Sequence, residues 1–277
     1  MEADRSARQE GRLRLHRRFE SRFFSTRRDL IVYLPPDYAA SPARYPVLYL
    51  QDGQNLFDPS TAFAGIHWRA DEIADDCIRR GLAEPLIVVG VYHAGPRRIS
   101  EYTPTRDSRL RRGGKGENYA SMLAREIKPF IDREYRTRRD AASTGVGGSS
   151  LGGLVALTTG LRYPGVFGKL AVMSPSVWWD ARAVLKIVES WRGRPRPRIW
   201  LDAGTAEGNS ARQVIDDLRL LRASLESKGW RDGEDLCYRE FEGAGHNEAA
   251  WAARFGCVLE YLFPPLVAPG PVAGRMA

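Results

Sequence analysis

The sequence predicts an α/β fold: an eight-stranded, mostly parallel sheet with helices on both faces. Three observations carry this. Short apolar runs alternate with longer segments of helical periodicity. The later runs are rich in Val, Leu and Ile, as strands buried on both faces are. Two strand-like runs open the chain with no helix between them, before the alternation begins.

The opening strand falls at 12–18, where Arg alternates with Leu, His or Phe in "RLRLHRRFE" as on a half-exposed strand. "DLIVYL" gives a second at 29–34 and "VLYLQ" a third at 47–51. The remaining strands fall at 86–92 (LIVVGVY), 142–149 (ASTGVGGS), 168–174 (GKLAVMS), 198–203 (RIWLDA) and 235–241 (DLCYREF). Helical patterns lie between them at 68–80, 117–135, 151–162, 181–191, 209–228 and 247–263. Pro129 interrupts the second of these, so a break or kink is expected there.

With 277 residues, 43% of them hydrophobic, the chain can build one sizeable core. No Pro/Ser/Gly-rich linker divides it, so a single domain over 1–277 is expected, with its core at 12–263. Residues 1–10 are polar and 266–277 are rich in Pro, Gly and Ala; both read as loose ends. No apolar run approaches the ~20 residues of a membrane span, and the N-terminus lacks a signal peptide's apolar core, so a cytoplasmic protein is expected. Cys77, Cys237 and Cys257 are odd in number and widely spaced. They suit neither a disulfide framework nor a metal site and read as reduced core thiols. The net charge of +8 comes mostly from arginines scattered among acids. A solvated surface is the expectation, and no nucleic-acid or membrane partner is.

In such sheets ligands bind beyond the carboxyl ends of the strands, and there the chain carries "GGSSLGG". Gly148-Ser149-Ser150-Leu151-Gly152 fits G-x-S-x-G about Ser150; centring on Ser149 fails, because the position two beyond it is Leu151. A serine on a strained strand-to-helix turn needs small neighbours two residues away on each side. The following helix N-terminus favours developing negative charge. The bland alternative is a glycine-rich packing turn.

A serine nucleophile needs a base. Of His16, His67, His93 and His246, only His246 follows Ser150, and it stands directly after the last strand in "FEGAGHNEAAW". His93, after the fourth strand, reads as a wall residue, His16 as surface and His67 as structural. The acid should lie in the loop after the seventh strand, "LDAGTAEGNS". Glu207, further out, is favoured by placement over Asp202 at the strand end, which stays open as the alternative; Asp180 is a third choice. Oxyanion donors are expected from the N–H of Leu151 and from that of Gln54 in "LQDGQNLFD". Asp52 there reads as a turn residue binding backbone amides.

The segments "YPVLYLQDGQNLFD", "EYTPTRD", "GGSSLGGLVAL", "RYPGVFGKLAVMSPSVWW", "LDAGTAEG" and "GAGHNEAAWAARF" together resemble the putative esterase family of α/β-hydrolases over nearly all of 12–263. The group takes in esterase D, feruloyl and acetylxylan esterases, and siderophore esterases. The resemblance implies a carboxylic ester hydrolase working through an acyl-serine intermediate with no cofactor. It implicates Ser150 as nucleophile, His246 as base and a carboxylate in the "GTAE" loop, hence Glu207. Asp52-Gly53 replaces a familiar His-Gly pair, as on the siderophore-esterase side of the group.

The 175–197 connection is too short for a large cap, so an open site is expected. Phe57, Tyr92, Tyr102, Trp178 and Trp179 are candidates for an aromatic wall, with at least one of the two tryptophans expected in the core. The basic loop 93–116 is long enough to be functional or mobile, and its Arg97, Arg98 and Arg106 could meet an acidic or catecholate substrate. The expected partner is a small-molecule or carbohydrate ester: acetyl- or feruloyl-type first, a catecholate trilactone second. A non-catalytic binding protein on the same scaffold is the alternative of another class.

Overall fold

A computed structural model describes residues 12–208 and 211–265. The expectations for the two loose ends and for the first residues of the 209–228 helix fall outside these. The strands are β1 (Leu13–Ser21), β2 (Phe24–Tyr33), β3 (Val47–Gln51), β4 (Ile87–Val91), β5 (Thr144–Ser149), β6 (Lys169–Met173), β7 (Arg198–Gly204) and β8 (Leu236–Phe241). They form one sheet in the order β1-β2-β4-β3-β5-β6-β7-β8. β2 pairs antiparallel with β1 and with β4, and every later pairing is parallel. This is the predicted class.

The helices are α1 (Ala70–Arg79), α2 (Gly116–Met122), α3 (Lys128–Glu134), α4 (Leu151–Arg162), α5 (Trp179–Ser190), α6 (Ala211–Ser227) and α7 (Glu248–Leu262). Alternate strand residues feed opposite faces. Val47, Tyr49, Ile87 and Val89 join one apolar layer with Tyr119 of α2, Leu123 just after it, Leu154 of α4, Val184 of α5 and Leu221 of α6. Leu48, Leu50 and Val88 join the other, with Ala74 of α1 and Phe255 and Val258 of α7. Both faces are thus covered, which is why these strands read as unbroken apolar runs.

Three readings change, and the break expected at Pro129 takes a definite form. First, β2 starts at Phe24, not 29, because Arg28 is buried in an ion pair with Glu101 at 3.0 Å rather than solvated. Second, the expected 117–135 helix is two helices joined by a π-turn at Leu123–Ile127, just before Pro129. A wider turn accommodates the ring and the missing N–H. Third, the 93–116 loop is built: it holds a one-turn helix, Arg98–Glu101, and a ladder pairing Arg106–Asp107 with Arg112–Gly113. Fourth, Cys77 and Cys237 are buried, but Cys257 is exposed on the outer side of α7. Among the described residues no helix is long and apolar enough to cross a membrane.

Candidate active site

Because β5 lies between β3 and β6, the loops leaving all three strands meet at one edge. Ser150 stands between β5 and α4 with φ 60° and ψ −125°, a conformation that costs an L-residue energy and is held by its surroundings. Its N–H donates to Met173 O (3.0 Å). A Cβ at Gly148 would lie 3.0 Å from both Gln51 Cβ and the Gly152 carbonyl carbon, so any side chain there would crowd the turn and push its neighbours by a few tenths of an ångström.

His246, in the loop after β8, stands 2.9 Å from Ser150 Oγ through Nε2 and 2.7 Å from Glu207 Oε2 through Nδ1. Its ring lies edge-on to buried Trp251, with centroids 4.9 Å apart. Serine, imidazole and carboxylate, assigned separately along the sequence, thus form one hydrogen-bonded row. Asp202 is outside it. That carboxylate is fully buried beneath the row, where Oδ2 accepts from Trp200 Nε1 (2.5 Å) and Oδ1 stands 3.0 Å from Arg254 Nε. The alternative of Asp202 as the histidine's partner is therefore corrected: the strand holds its side chain against α7, away from the β8 loop. Asp180 makes no contact with His246 either; it sits in a left-handed turn at the start of α5.

Glu207 is clamped from behind. Its Oε1 accepts from Ser174 Oγ (2.5 Å) and from the Gly204 N–H (2.7 Å), and Arg254 Nη2 lies 3.6 Å away. Burial pushes this carboxyl up, but the hydrogen bonds from His246, Ser174 and Gly204 outweigh it, and its pKa falls below the usual value. Burial dominates at Asp202, raising it to about 6 despite Arg254, Trp200 and the Ser174 N–H. Ser174 joins the two layers, because its Oγ also accepts from Trp251 Nε1 (2.9 Å) and Arg254 Nη2 (2.6 Å).

Sequence reasoning missed Ser174 and Arg254. Ser174 gave only a weak signal, its place directly after β6. Arg254 gave a stronger one. It occupies a core position of α7, in step with Trp251, Phe255 and Val258, where a charge demands a buried partner.

On the other flank, Asp52 opens a short turn, Gly53–Asn55, in a left-handed conformation. Its carboxylate does not bind turn amides as expected. It takes both arms of Arg98, Nε to Oδ1 and Nη2 to Oδ2, each at 2.7 Å. Arg98 is thereby committed to the protein. Arg97 is exposed and bonds Thr26, and Arg106 is exposed. Gln54 is the middle residue of the turn, and its Oε1 accepts weakly from the half-buried His93 N–H (3.4 Å). Leu151 is the first residue of α4.

The expected aromatic wall shrinks. Tyr102 is fully buried, with its hydroxyl accepting from the Asp52 N–H (3.2 Å). Trp179 is buried and donates to Thr105 O (3.0 Å), and Phe57 is buried against Tyr33. Trp178 is 48% exposed and Tyr92 half-buried. Burial wins for the other three because each fills the interior beneath a loop.

A serine on a strained strand-to-helix turn, in this strand order, with histidine and glutamate supplied by later loops, defines an α/β-hydrolase. The chain belongs to the putative esterase family, whose model matches residues 21–260. It is therefore a carboxylic ester hydrolase. It is 29% identical over 234 residues to the ferri-bacillibactin esterase BesA of Bacillus subtilis, 76% of each chain. It is 32% identical over 149 residues to an endo-1,4-beta-xylanase/feruloyl esterase of Xylanibacter ruminicola, covering 52% of this chain and 19% of that one. In fold it is similar to the enterobactin esterase FES of Shigella flexneri, solved in the presence of enterobactin: TM-score 0.74, 21% identity, 92% of this chain and 59% of that one.

Proposed function

We propose that the chain hydrolyses small acyl, aryl or carbohydrate esters through an acyl-serine intermediate, with Ser150 as nucleophile, His246 as general base and Glu207 as the orienting acid. The hydrogen-bonded row Ser150–His246–Glu207 carries the reading. Glu207 holds the proton on Nδ1, which leaves Nε2 free to accept. Ser150 Oγ attacks the ester carbonyl and passes its proton to Nε2. The carbonyl oxygen becomes an oxyanion, received by the N–H groups of Leu151 and Gln54. His246 returns the proton to the departing alcohol oxygen as the C–O bond breaks. Water then repeats the sequence: it gives its proton to Nε2, attacks the acyl carbon and frees Ser150, which recovers that proton. An exposed imidazole, with an exposed Trp178 in the loop after β6 that also carries Ser176, suits accessible esters with a flat acyl group.

A second reading, hydrolysis of a catecholate siderophore trilactone, is favoured by the likeness to the ferri-bacillibactin esterase over 76% of both chains. The test is hydrolysis of p-nitrophenyl acetate by the parent and by Ser150→Ala and His246→Ala, with a loss of about 10⁴-fold or more expected in each. Unchanged turnover in either variant refutes the assignment. A panel of methyl ferulate, acetylated xylan and a catecholate trilactone ranks the substrate classes by kcat/KM.

A further inference from the structure

Ser176, in the loop after β6, brings a second hydroxyl up to the reacting atom of Ser150. It is buried, its N–H donates to Ser150 O (3.1 Å), and its Oγ lies 3.4 Å from Ser150 Oγ. Ser150's own hydrogen is directed to His246 Nε2, so the hydrogen between the two hydroxyls must come from Ser176. Among the described residues, Ser176 Oγ has no other hydrogen-bond partner.

We infer that Ser176 is a catalytic residue that assists the departure of Ser150 from the acyl-enzyme. The inference rests on Ser150 being the nucleophile. A donor at Oγ accelerates a step only if charge grows there between ground and transition states. In acylation, Oγ starts as a hydroxyl and ends as an ester oxygen, and the proton it sheds is taken by His246. In deacylation, the bond from the acyl carbon to Oγ breaks and the electron pair moves onto Oγ while His246 delivers its proton. Ser176 transfers nothing; its hydrogen bond, long at rest, strengthens as that charge builds.

Ser176→Ala removes the donor while keeping the backbone hydrogen bond to Ser150. Stopped-flow hydrolysis of p-nitrophenyl acetate reads both steps. The expected result is a steady-state kcat lowered about 3- to 10-fold, the worth of one neutral hydrogen bond. The burst of p-nitrophenol should rise toward one per enzyme, and kcat/KM should stay within about twofold. Ser176→Thr, which keeps the hydroxyl, should restore the parent burst. If Ser176→Ala does not label with a fluorophosphonate, Ser176→Cys is used instead, since a thiol donates weakly. An unchanged burst, or equal falls in kcat and kcat/KM, overturns the inference. Failure of the underlying reading looks different: turnover would survive Ser150→Ala.

Discussion

Replacing Glu207 by Gln changes one oxygen to NH₂ and removes one charge. The surroundings decide which way the amide sits. The Oε1 position faces the Ser174 hydroxyl at 2.5 Å, the Gly204 N–H at 2.7 Å and the Arg254 guanidinium at 3.6 Å. Two hydrogen-bond donors and a cation require an acceptor, so the amide oxygen stays there and the NH₂ turns toward His246 Nδ1. A donor at Nδ1 forces the imidazole proton onto Nε2, where it can no longer accept from Ser150. The same carboxylate-to-amide change in a Ser-His-Asp triad costs about 10⁴-fold in kcat. A loss of about 10³- to 10⁴-fold is expected here, or about 4–5.5 kcal/mol. KM should move little, because the carboxylate does not meet substrate. The assay is p-nitrophenyl acetate hydrolysis at pH 8, with thermal unfolding alongside to show that the fold survives. A loss below tenfold in a folded variant refutes the tautomer argument, as does a larger loss in folded Asp202→Asn.

Three further outcomes follow from the same geometry. Arg254→Met leaves Asp202 buried without its cation and should cost about 3–5 kcal/mol at pH 8. Asp202 already has its pKa raised to about 6, so its stabilising share is full below about pH 4 and is lost as pH rises through 6. Removing the cation raises this pKa further, so denaturant titrations should show a smaller deficit at pH 5 than at pH 8; an equal deficit contradicts the pairing. In Gly204→Ala the new methyl would collide with the backbone carbonyl of Ala244, two residues before His246. A stability loss of about 1–3 kcal/mol should accompany a disproportionate fall in kcat, and a change in unfolding temperature alone counts against the coupling. Trp178→Ala, at an exposed ring, should change stability by no more than about 0.5 kcal/mol and raise KM for esters of aromatic acids, such as methyl ferulate, but not for acetates; equal effects on both remove Trp178 from the acyl site.

Much of the molecule was legible because local and global signals agreed. The parallel strands are buried on both faces, so their composition announces them, and Ser150 and His246 stand where the strand order requires. Glu207 was favoured over Asp202 by position alone; the structure adds the reason, a loop carboxylate reaching outward while the strand carboxylate is turned under α7. What stayed hidden depends on pairing across long separations. Arg28 looked solvated because its partner Glu101 lies 73 residues away. Asp52 looked like a turn former because Arg98 is supplied by a loop that itself read as unstructured. Tyr102, Phe57 and Trp179 carry the composition of a binding wall, yet they fill space beneath loops, and periodicity does not tell those two uses apart.

The order of the strands also governs when activity can first exist. Glu207 and His246 follow β7 and β8, the last two strands of the sheet, while Ser150 sits at its centre. β8 is an outer strand, bonded on one side only, to β7. A growing chain that has completed β5 carries Ser150 but not yet the Met173 carbonyl that holds its turn, nor Glu207 or His246. The reactive arrangement appears only after the final strand and α7 have docked. On heating, local detachment of this margin is expected to separate His246 from Ser150 before the centre of the sheet opens. If turnover runs through the proposed row, it reports on this outer edge of the molecule, and its loss should precede the collapse of the rest.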